Sequence, residues 1–305
     1  MDFDSFLDQA WTDHAEHAAA VAERLADPGL ALLQQEDQVL PLAFLAQHVH
    51  GQHLGRWAEG LAFQQQLAAL PLVAAGSTTA QALQRFAAVM KLAGGLADER
   101  AGQPGSEATR ITAMTAVALG VHDGARARAL LDAATAEADA LPDADPAVRA
   151  LAIAGNGIAA SLEDLPERSE AERALMVLAA STARRAWARA GTWLETERAE
   201  YRLAKTWLKA GDPAQAQQHA LQCLAAVQAH GNVALENFFG LEALGLAQHA
   251  AGDSSAFATT LAQLRATFAA VEEGDIGVCL PTLRALEALS AAAPVPENDK
   301  SAPTA

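Results

Sequence analysis

Apolar residues recur at steps of three and four along almost the whole chain, and short breaks rich in Gly, Pro and Asp separate the runs. That pattern predicts helix after helix. Residues 2–26 read as a first helix, with Phe3, Phe6, Leu7, Trp11, Val21 and Leu25 as its apolar side and Asp27-Pro28-Gly29 as its stop. Residues 37–50 and 54–70 make a first hairpin, in which Leu42, Leu45 and Val49 face Trp57 and Leu61. Residues 78–102 are helical but interrupted at Gly94-Gly95, which predicts an irregular region over 94–106. Further pairs follow at 107–120 with 124–140 and at 147–163 with 168–190, and residues 276–291 read as a last, capping helix. The tail 292–305, with Pro294, Pro296 and Pro303, is expected to be disordered.

The clearest unit lies at residues 193–252. Leu203, Trp207 and Ala210 share a helical stripe, and Gly211 ends it as a residue tolerant of positive φ does. Asp212 then caps a helix that starts on Pro213 and carries Ala216, Ala220, Cys223, Leu224 and Val227 on one side. The same grammar returns at Leu241, Leu244 and Gly245 and closes on Gly252-Asp253. In its Leu203-Ala204, Trp207 and Ala216, and again in Leu241, Leu244 and Gly245, the stretch resembles the tetratricopeptide repeat. It departs from that family at Glu200, where the family has Trp, at Gln248 for Tyr and at Phe257 for Ala. The repeat is also longer, about 40 residues. The resemblance implies an all-α fold, a right-handed superhelix of antiparallel helix pairs over residues 1–291. Residues 1–30 and 276–291 would cap its ends.

Composition supports helix and narrows function. Ala and Leu dominate, aromatics make up 5%, and the formal charge is −16. Such a surface lacks the basic footprint of a nucleic-acid binder. The acidic start, MDFDSFLDQAW, has neither the positive end nor the apolar run of a secretion signal, and no apolar run is long enough to span a membrane. A cytoplasmic protein is expected, and the Ala-rich composition points to a bacterial one. The first and last helices carry apolar residues that either cap the array or pair two copies. Cys223 and Cys279 sit in apolar helical contexts and read as buried free thiols.

Candidate chemistry is sparse. There is no Gly-x-Ser-x-Gly motif and no His-Glu-x-x-His. Gly155-Asn156-Gly157 lies inside a helix with no Lys-Ser/Thr after it, so it reads as a close helix contact or a kink and not as a phosphate loop. His48, His50 and His53 gather at one turn, and His14 and His17 lie three apart on the first helix. His48 and His50, two apart, would point to different sides of a helix, and the histidines read as turn residues, so no metal and no cofactor is expected.

The anomaly is basic. Arg198, Arg202, Lys205 and Lys209 are spaced four, three and four apart, which puts them on one face of residues 193–210 beside Tyr201. The repeat resemblance implies that first helices line a concave groove, here through Arg198, Tyr201, Arg202, Lys205 and Lys209, with Asn237, Phe239 and Glu242 from the next repeat. Such a groove suits an acidic segment or a free C-terminal carboxylate. The competing reading is a solvated face whose cations are partnered by Glu195, Glu197 and Glu200. A non-catalytic protein- or peptide-binding scaffold is the expected function. The alternative is a ligand- or peptide-sensing domain that acts through a partner protein.

Overall fold

A computed structural model describes residues 1–292; the remainder of the expected disordered tail, 293–305, lies outside the described residues. Among the described residues the chain is all-helical, with fourteen α-helices and no strand. It separates into two compact units, Met1–Thr192 and Trp193–Ala305, within the span read above as one domain. Each has a buried apolar core.

The first unit holds α1 (Phe3–Asp13), α2 (Ala18–Ala26), α3 (Val39–Gln47), α4 (Trp57–Ala68), α5 (Thr78–Ala93), α6 (Gly105–Leu119), α7 (Gly124–Asp139), α8 (Pro146–Glu163) and α9 (Glu170–Ala190). The expected single helix over 2–26 is two helices. Its middle, Asp13 to His17, offers no large apolar side chain to bury, and breaking it there lets Arg24 of α2 bond back to Asp13 at 2.8 Å. Phe3 and Phe6 of α1 and Val21 and Leu25 of α2 meet in one core with Leu42, Leu45, Phe63 and Leu67. A π-helical turn, His48–His53, continues α3 and packs among α2, α4 and α6. Helix α5 ends at Ala93, so the helix expected over 78–102 stops at Gly94-Gly95, and 94–104 is irregular. Arg126 of α7 donates to the carbonyls of Leu92 and Ala93 at 2.8 and 3.1 Å, which satisfies the end of α5.

The two glycines of the Gly-Asn-Gly run serve close helix packing. A Cβ on Gly155 would stand 2.6 Å from the carbonyl oxygen of Ala179 in α9, and one on Gly157 would stand 2.7 Å from Val117 in α6. Helix α8 therefore lies against α9 and α6 more closely than alanine would permit.

The second unit holds α10 (Trp193–Ala210), α11 (Pro213–Ala229), α12 (Ala234–Ala250), α13 (Ser254–Phe268) and α14 (Ile276–Ala292). Gly211 takes φ 87° and Gly252 φ 76° at the ends of α10 and α12. Asp212 and Asp253 each accept a backbone N–H at 3.0 Å to cap the helix that follows. Consecutive helices pack on each other, and α10 also touches α12. Phe238, Leu241, Phe257, Leu264, Cys279 and Leu286 form the core of this unit. Both cysteines are free and buried. No helix among the described residues is long and apolar enough to cross a membrane.

Candidate partner-binding face

Helix α10 has two polar edges that face different neighbours. One carries the basic residues singled out in the sequence. Arg198 donates to Glu236 of α12 at 2.6 Å, and Lys205 donates to Glu242 of α12 at 2.6 Å. The Tyr201 hydroxyl donates to the other oxygen of Glu242 at 2.7 Å, and the Tyr201 ring meets the edge of Phe239 at 5.9 Å. Burial, then the Glu242 carboxylate, pushes the Tyr201 phenol up from its usual range. Glu236 and Glu242 are buried beneath this edge, whereas the Arg198 side chain is 58% exposed and Lys209 is exposed. Arg202 is half-buried.

The other edge is acidic and points into the unit. Glu197 and Glu200 are buried. Cys223 of α11 donates its S–H to Glu197 at 2.7 Å, and His219 of α11 lies 2.7 Å from Glu200. Burial pushes the Glu197 carboxyl up to about 7, and the neighbouring Glu236 carboxyl adds to the rise. A protonated Glu197 avoids placing a second negative charge beside Glu236 in a dry interior. Burial, then Glu197, pushes the Cys223 thiol up as well, so it is a protonated donor and a poor nucleophile.

The face thus brings together Arg198, Tyr201, Arg202, Lys205, Phe239 and Glu242. Asn237 is turned elsewhere: it donates to Thr267 of α13 at 3.2 Å and lines a cleft of about 650 Å³ with Gln228 and Gln263. Phe238 and Phe239 divide, with Phe238 fully buried in the core and Phe239 reaching Tyr201. The carboxylates that anchor Arg198 and Lys205 come from α12 and not from the same helix. Glu236 was missed because nothing in a linear pattern pairs helices two apart. Glu197 and Glu200 were legible in principle, since the Leu203–Ala204 stripe extended backwards by three and four lands on Glu200, and a further step of three lands on Glu197.

The histidines regroup too. His48 faces His53 and His14, while His50 is buried against Phe63. Compared with known proteins, the chain matches no family model and no curated protein.

Proposed function

We propose that the protein is a non-catalytic cytoplasmic adaptor, tetratricopeptide-like and wound in that family's right-handed sense, which binds a protein or peptide segment along the α10–α12 face. The observation that carries the reading is how the basic edge is anchored. Arg198 is fixed from below by a buried carboxylate while most of its side chain stays open to solvent. A cation already ordered loses little freedom when a ligand carboxylate arrives, so more of the contact energy appears as affinity. Lys205 and Tyr201 are fixed by Glu242 in the same way, and Phe239 adds an aromatic edge. The solvent-open Arg198 guanidinium and the exposed Lys209 suit an acidic segment or a free C-terminal carboxylate.

The test is direct binding of fluorescent acidic peptides, with free and amidated C-termini, to wild type and to variants. Reversing Arg198 or Lys205 would leave Glu236 or Glu242 buried without its cation and confuse loss of folding with loss of binding. The clean variant is Lys209→Glu, at an exposed position. Weakening by about 10-fold with an unchanged melting temperature is expected for it. Equal affinity of wild type and variant would overturn the assignment of this face.

A further inference from the structure

The histidines of the first unit make a second candidate site. One ring nitrogen from each of His14, His48 and His53 lies within 4.8 Å of the other two. The Nε2 atoms of His48 and His53 face each other at 3.1 Å, and the His14 ring centre is 4.9 and 5.1 Å from those of His48 and His53. The backbone explains why residues five apart converge. In an α-helix they would stand roughly 140° apart around the axis. Residues His48–His53 are instead a π-helical turn, with Leu54 N–H donating to Val49 O at 3.1 Å, and its wider winding returns His53 to the side of His48. His14 arrives from the end of α1, at the break between α1 and α2.

Three further features prepare the cluster. The Nδ1 of His14 sits against the carbonyl oxygen of Trp11, which acts as acceptor, so Nδ1 carries the hydrogen and Nε2 keeps its lone pair. Metal-binding imidazoles are commonly oriented in this way, through the second nitrogen to a carbonyl. The Trp11 ring walls the group, 5.4 Å from His48 and 5.1 Å from His14. His122, from the turn after α6, bonds Gln52 O at 3.0 Å and fastens the π turn from the far side.

We propose that His14, His48 and His53 bind one borderline-soft divalent cation of the Zn²⁺ class through three imidazole nitrogens, with a fourth position open to water. Tetrahedral Zn²⁺ with Zn–N near 2.0–2.1 Å sets its nitrogens about 3.3 Å apart. The His48–His53 pair already has that spacing, and His14 closes on it by a small ring movement. An all-nitrogen set selects Zn²⁺, Co²⁺, Ni²⁺ or Cu²⁺ over Mg²⁺ and Ca²⁺, which need oxygen ligands.

The test uses untagged full-length protein stripped with chelator and titrated separately with Co²⁺, read by its visible absorption, and with Zn²⁺, read by calorimetry. One equivalent is expected, with the intense band of a four-coordinate site and a melting temperature that rises with free Zn²⁺. His53→Ala and His14→Ala should each weaken binding by at least about 100-fold, more than loss of an orienting partner costs. His17→Ala and His50→Ala should not. His53→Gln, which keeps the side chain polar and similar in length, guards against mere misfolding. Absence of Co²⁺ and Zn²⁺ binding, or binding equal in wild type, His53→Ala and His53→Gln, would overturn the proposal, as would binding that follows His17 or His50.

Discussion

At the residue scale, the most consequential side chain of the second unit is Glu197. Its carboxyl titrates near 7 because burial and the adjacent Glu236 oppose its charge. A group whose folded value lies above its unfolded value of 4.5 holds an extra proton in the folded state, so its contribution is whole below pH 4.5 and is lost as pH rises through 7. The span corresponds to a loss on the order of 3 kcal/mol. Glu197→Gln keeps an acceptor for Cys223 and removes the charge. Thermal melts from pH 5 to 8 should show wild type losing stability with rising pH and the variant nearly flat; parallel curves would dismiss the raised Glu197 carboxyl. Glu242 is buried and accepts from Lys205 and Tyr201, so Glu242→Ala leaves both donors without their acceptor. Since Lys205 is partly solvated, we expect a loss of about 1–3 kcal/mol in denaturant melts.

At the element scale, the breaks were more legible than the contacts. Gly211 and Gly252 end helices where the sequence pattern places the ends, because chain reversal needs local chemistry that a few adjacent residues supply, whereas Gly94-Gly95 ends α5 outright where helix was expected to run on to 102. The split at His14–His17 was not visible, since the polar Asp13–His17 run lies within ordinary amphipathic variation until tertiary contacts pull α2 back. Register in the hairpins was only partly visible. Ala216 is fully buried at its helix contact, as the stripe implies, but in the first hairpin Trp57 is only half-buried and Gly60, within 2.8 Å of Met90 for an added Cβ, takes an inward position. Gly155→Ala tests the tightest contact. Its methyl would meet the backbone of α9, which cannot swing aside, so about 1–3 kcal/mol should be lost. Gly245→Ala meets the end of Leu286 at 3.2 Å, a side chain that can turn, and should cost less in the same melts.

At the scale of the whole molecule, two buried cores mean two places where packing is cooperative. Hydrogen exchange of Gly155→Ala should show weakened protection in α6, α8 and α9 and wild-type protection in α12 and α13; a uniform loss would show that the units unfold as one. The all-helical class was determined by the sequence alone, because Ala- and Leu-rich periodicity and capping residues act locally and point the same way along the chain. So were most helix ends, the burial of both thiols and the basic edge of α10. Tertiary structure alone decided which helix answers that edge, by bringing Glu236 and Glu242 under Arg198 and Lys205 across nearly forty residues. It alone gathered His14, His48 and His53, through a π turn that no α-helical period anticipates. Periodicity records which face of a helix is apolar; which side chains then meet depends on contacts far apart in the chain, and those form only when the helices pack.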